Sequence, residues 1–162
     1  MFRIGSSESL NVSDSEIQDI LARVYVDSGF MPPERAKLAF TPIAVRSRGH
    51  LICARPENGE VLAGMAIVVP YDSPARLIAD TDETELHLLA VSEAYRSVGL
   101  GRRLVRSAID AASALGYRKM ILWTQPVMTT AQRLYESESF VRVPGRDPNM
   151  NGINYLAYLR QW

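Results

Sequence analysis

Apolar residues recur along this chain at two spacings. In "SDSEIQDILARVYVDSGF" they fall three and four apart, so Ile17, Ile20, Leu21, Val24 and Tyr25 share one face of a predicted helix. Ser13 followed by Glu16 fits a capping box at its start, and Gly29 supplies a stop. "PPERAKLAF" predicts a second, shorter helix with Pro33 near its first turn. A third runs from Gly99 to Leu115, with Leu104, Val105, Ala108, Ile109, Ala112 and Leu115 on one face and Gly116 as its cap. "TTAQRLYESESF" predicts a short fourth helix capped by Thr129 or Thr130.

Between these lie apolar runs of strand length. Residues 2–4 suit a short opening strand, and "HLICARP", "VLAGMAIVVP", "TELHLLAV" and "KMILWTQ" suit longer ones. Asn58-Gly59 in "ENGE" predicts a tight hairpin between the first two of the longer runs. Pro70 to Pro74 breaks the chain, as does Pro126. "FVRV" and "INYLAYLRQ" close it, joined by the polar loop "PGRDPNMNG". The order β-α-α-β-β-β-α-β-α-β-β predicts an α+β fold, a mixed sheet with helices on its faces, as one domain over 1–162.

Composition narrows the function classes. The 162 residues are 47% hydrophobic and 22% charged, a globular profile, and 18 basic side chains balance 18 acidic ones. No bulk field points to nucleic acid or an anionic membrane, so any anion site must be local. One cysteine, Cys53, excludes a disulfide framework; with only His50 and His87 as histidines, no metal cluster is expected. Cys53 reads as a small core residue and His50 as a surface one. The N-terminus has no signal pattern and no run approaches membrane-spanning length, so the expectation is a cytoplasmic protein.

The stretch that carries chemistry is "RSVGLG", Arg96 to Gly101, between a strand and a helix. The first amides of a helix have no partner within it, and with the helix dipole they form an anion site. Gly99 and Gly101 let a phosphate approach the backbone, and Arg96, Arg102 and Arg103 add positive charge. A dinucleotide fingerprint requires a third glycine where Leu104 stands, and the P-loop pattern is absent. A tight turn with close helix packing is the plain alternative.

"LLAVSEAYRSVGLGRRL" resembles the signature of the GCN5-related N-acetyltransferases, the GNAT family, whose [QR]-x-x-G-x-[GA] motif is filled by Arg96, Gly99 and Gly101. "AQRLYESESF" is similar to the family's second motif, and together the two place the motif core at about 84–143. Met128 stands where the family often has Asn, Ser139 where it has Gly, and Glu93 where it has Pro. The resemblance implies a mostly antiparallel sheet splayed by a β-bulge into a slot for acetyl-CoA. It places the pyrophosphate on Arg96, Ser97, Val98, Gly99, Leu100, Gly101 and Arg102. The pantetheine arm lies beside Leu89, Ala90 and Val91, and a backbone N–H of Leu89 or Ala90 holds the oxyanion. Tyr135 matches the motif tyrosine that can protonate the CoA sulfur.

Acetyl transfer to an amine also needs a base. Glu85 and His87 share one strand face and match base positions of relatives, so either fits, with a water relay between them; the alternatives are a solvated carboxylate and a buried, bonded ring. The expected acceptor is a primary amine of a small molecule or peptide. Asp72, Asp80, Asp82 and Glu83 are candidates for attracting it, or a solvated acidic loop, and Arg146 and Asp147 sit in a candidate lid. The closing strands are a candidate dimer contact. A CoA-binding sensor or degenerate module with little catalysis is the alternative function.

Overall fold

The computed structural model describes residues 1–162. In chain order the elements are β1 (Phe2–Ser6), α1 (Asp14–Leu21), α2 (Pro33–Ala39), α3 (Pro42–Arg46), β2 (His50–Pro56), β3 (Gly64–Val69), β4 (Glu83–Val91), α4 (Leu100–Ala114), β5 (Lys119–Thr124), α5 (Thr129–Ser137), β6 (Val141–Arg142), β7 (Asn149–Met150), β8 (Ile153–Asn154) and β9 (Leu156–Gln161). Seven strands form one sheet in the order β1-β2-β3-β4-β5-β9-β6, with only β4 and β5 parallel. This is the fold class expected from the element order.

The Ser13–Glu16 capping box forms at α1, and a π-helical turn over Ala22–Val26 continues it. α3 was not anticipated; Thr41 caps it by accepting from the Ala44 amide, and Pro42 sits at its first position. The tight hairpin expected at Asn58-Gly59 is also absent. Neither residue has positive φ, and the last β2–β3 pair is Ala54 with Gly64. The chain instead dips to bury Leu62 and Ala63, and that burial outweighs the local turn preference. The two-residue Asn-Gly hairpin lies elsewhere: Asn151 (φ 54°) and Gly152 (φ 78°) join β7 to β8.

Strand alternation distributes the core. Leu51, Cys53, Met65, Ile67 and Val69 face α1 and α3, whereas Ala66, Val68, Leu86, Met120 and Leu122 face α4 and α5. Burial pushes the Cys53 thiol up to about 12, as befits a packing residue. Gly64 is required where β3 passes under α4, because a Cβ there would lie 2.8 Å from Leu104 Cδ1 and 3.1 Å from the Ala90 carbonyl oxygen. No helix is long and apolar enough to cross a membrane.

Leu104 is fully buried at this contact. Leu104→Ala should cost about 3 kcal/mol in urea unfolding, through lost transfer energy plus a cavity. A loss below about 1 kcal/mol would mean that α4 is not seated there.

Candidate functional site

The sheet parts at its centre. β4 and β5 pair over Glu83–Lys119, Thr84–Met120 and Glu85–Ile121 and no further. On its other side β4 pairs with β3, and the register shifts between Met65 and Ile67, so that Ala66 faces both Leu88 and Leu89. Leu88 takes the extra residue in a left-handed conformation, φ 51°. Past the last parallel pair, His87 of β4 meets Trp123 of β5 edge-on, with ring centroids 4.9 Å apart. Tyr25 donates its hydroxyl to the Leu89 carbonyl at 2.8 Å, and Gln125 Nε2 donates to the Phe30 carbonyl at 2.7 Å. Tyr135 lies on the α5 side of the sheet against Phe140 and Tyr158. Burial pushes its phenol well above the ordinary range, so the hydroxyl stays protonated.

At the end of β4 the chain turns through a 3-10 segment, Glu93–Tyr95, into the glycine loop. Gly99 has φ 80° and precedes α4 with no side-chain cap. A Cβ on Gly99 would meet nothing within 4 Å, so the space beside it is open as well as conformationally special. Gly101 differs: a Cβ there would lie 3.1 Å from Leu134 Cδ2, so this glycine allows α4 to pack on α5. Arg96 is exposed beside the loop, its Nε donating to the Val91 carbonyl at 3.3 Å. Arg102 is drawn away to Glu138 at 2.8 Å, and Arg103 donates to the Phe2 carbonyl at 3.2 Å. Of the three arginines, Arg96 and Arg103 have no acidic partner, and Arg96 is the one that stands within the loop. The amides at the start of α4 and the open loop fit a pyrophosphate.

Glu85 and His87 are brought together and buried. Glu85 Oε1 accepts from the backbone amides of Leu77, Ile78 and Ala79 at 2.7, 2.5 and 2.8 Å, while Oε2 accepts from His87 Nε2 at 2.7 Å. Burial pushes the Glu85 carboxyl up, but the His87 ring and the amides outweigh it, so it lies below the usual carboxylate range. His87 Nδ1 lies 3.1 Å from Arg48 Nη1. A guanidinium can only donate, so Nδ1 accepts and Nε2 carries the hydrogen. Burial first, and Arg48 second to the opposing Glu85 bond, hold the ring's pKa below the usual value, so it is neutral.

Three of the four acidic candidates, Asp80, Asp82 and Glu83, are paired within the protein. Asp82 pairs with Lys119 at 2.7 Å and Glu83 with Arg146 at 2.7 Å, while Asp147 pairs with Arg142 at 2.6 Å. Neither Arg146 nor Asp147 is therefore free to read a ligand. A pocket of about 420 Å³ instead opens where His87 and Trp123 meet Arg48 and Met150. A wider groove of about 1530 Å³, with both signs of charge, reaches the loop at Ser92–Arg96. No group of three or more His, Cys, Asp or Glu side chains is arranged to hold a metal ion.

Arg48, Tyr25, Trp123 and Gln125 were not anticipated as site residues. Tyr25 and Trp123 read as ordinary apolar positions, and placing Trp123 beside His87 requires knowing that their strands are parallel neighbours. Arg48, in "RSRGH", has no local pattern at all.

The site is thus a sheet parted after its one parallel pair of strands, with an uncapped helix start at its mouth. The chain belongs to the acetyltransferase (GNAT) family, whose model matches residues 15–140. It is 30% identical over 84 residues to N-acetyltransferase family 8 member 3 of Rattus norvegicus, covering 52% of this chain and 36% of that one. The chain spans about a third to a half of the length of the curated relatives it matches. An acetyltransferase from Streptococcus agalactiae shares the fold with a TM-score of 0.76 at 18% identity, covering 99% of this chain and 98% of that one. A Bacillus subtilis acetyltransferase solved in complex with CoA superposes with a TM-score of 0.69 at 19% identity, covering 100% and 99%.

The depressed Glu85 carboxyl makes a pH prediction. The folded chain gives up this proton more readily than the unfolded one, so its contribution is complete above an ordinary glutamate's 4.5 and is lost as pH falls below it. Glu85→Gln should cost about 1–3 kcal/mol at neutral pH and flatten the acid limb of the stability curve. An unchanged acid limb in urea titrations would show that Glu85 is not held as an anion.

Proposed function

We propose that this protein is an N-acetyltransferase that transfers the acetyl group of acetyl-CoA to a primary amine by direct attack in a ternary complex. The observation that carries this reading is the uncapped start of α4 behind Gly99, at the mouth of the β4–β5 split. Acetyl-CoA, as substrate, supplies the activated thioester. The amides of Ser97, Val98, Gly99, Leu100, Gly101 and Arg102, with the Arg96 side chain, hold its pyrophosphate. The free edge of β4 at Leu89, Ala90 and Val91 orients the pantetheine arm, and an N–H of Leu89 or Ala90 steadies the developing oxyanion.

Tyr135 is the proton donor to the departing sulfur. The alternative phenol, Tyr25, spends its hydrogen on the Leu89 carbonyl. His87 is the base: its Nδ1 lone pair takes the amine proton once Arg48 turns aside, and Glu85 stabilises the resulting imidazolium through Nε2. Glu85 itself is the orienting residue, because its oxygens are already engaged. That same engagement of His87 and Glu85 favours a second reading, a CoA-binding module with little turnover.

Two variants test the assignment. Tyr135→Phe should lower kcat about 10²-fold while leaving acetyl-CoA affinity unchanged; an unchanged kcat removes Tyr135 from the chemistry. Acetyl-CoA, but not NAD, should raise the melting temperature of the native protein, and Gly99→Val should abolish that shift. A Gly99→Val protein that binds normally would refute the phosphate loop. Binding without turnover across an amine panel would favour the second reading.

A further inference from the structure

The pocket beside His87 has an unusual charge balance. Its wall carries Arg48, His87, Trp123, Leu77, Pro74 and Met150, and its remaining lining residues are alanine and serine. Arg48 is thus the one charged side chain in it, since His87 is neutral. Arg48 is half-buried and has no carboxylate partner. The half-buried Arg46, Arg142 and Arg146 and the buried Arg55 each meet an acid at 2.6–2.7 Å. Of the five guanidinium N–H donors of Arg48, one is used, toward His87 Nδ1. Glu85 offers no relief, because three amides and the His87 ring occupy its oxygens. The other ionisable side chain near Arg48 is the Tyr25 phenol, which is held neutral by burial.

A desolvated cation with a free planar fork favours a planar anion that accepts two parallel hydrogen bonds. It equally disfavours a polycationic acceptor, for which the pocket has no acid. We infer that Arg48 is the acceptor-recognition residue and that the acceptor is an amino acid-like molecule carrying a carboxylate near its amine. The carboxylate takes the Arg48 fork, and the walls of Trp123, Leu77, Pro74 and Met150 receive an apolar side chain. Turning Arg48 toward the ligand also releases Nδ1 of His87, so binding of the correct acceptor exposes the base. The inference rests on the acetyltransferase reading for its amine, but recognition of the carboxylate is measurable without turnover.

The test is calorimetry of the native protein, with CoA present, against the N-acetyl derivatives of the proteinogenic amino acids and their matching C-terminal amides. At least one acid should bind about 10-fold or more tightly than its amide. Arg48→Gln should erase that ratio, and Arg48→Lys should restore part of it. Initial rates with the corresponding free amino acids and amino acid amides form the second arm. If no acid is preferred over its amide, or if the preference survives in Arg48→Gln, the inference is wrong, even where amines are acetylated. Tighter binding of N-acetylphosphoethanolamine than of any carboxylate would also overturn it. A carboxylate preference that depends on Arg48, without any turnover, would keep the inference and sink the enzyme reading instead.

Discussion

The extra residue in β4 opposite Ala66 is the constraint on which the site depends. A bulge bends a strand and shifts its side-chain phase. Before it, Glu85 and His87 point to the α1–α3 side; after it, Leu89 packs toward α4 and α5. The parallel pairing with β5 stops at Glu85–Ile121, just short of it, and the strands part. Holding Leu88 in the left-handed region costs about 1 kcal/mol or more. The surrounding sheet and helices impose that conformation, which is how strain comes to sit at a working site.

A second device holds the walls of the split. Glu85 is a buried anion satisfied by three consecutive amides, so it fixes the segment Leu77–Ala79 against β4. Arg146 fastens the same segment from the closing loop, through Glu83 at 2.7 Å and the Ile78 carbonyl at 2.7 Å. Leu77 and Met150 are thereby both brought to the pocket beside His87. Removing one partner from such a network leaves the others buried and unpaired, which is why each member is costly to lose.

Much of this was legible in the chain, and the reasons differ by element. α1 and α4 have strong 3.6-residue patterns and local caps, so their extents could be read closely. The glycine loop was legible because a positive φ at Gly99 and a helix start are local features. The Asn58-Gly59 hairpin was misplaced because burial of Leu62 and Ala63, a tertiary effect, overrode a turn preference that was realised at Asn151-Gly152. The pairing of Arg102 with Glu138 and the position of Arg48 over His87 depend on contacts 36 and 39 residues apart in sequence, which no local pattern carries.

The central claim is that the loop from Arg96 to Arg102 and the free edge of β4 together hold acetyl-CoA. Hydrogen exchange measured amide by amide, with and without acetyl-CoA, tests it most directly. The account predicts slower exchange at Ser97–Arg102 and at Leu89–Val91, with little change along β1 and β2. Protection confined to other segments, or none at saturating acetyl-CoA, would contradict it.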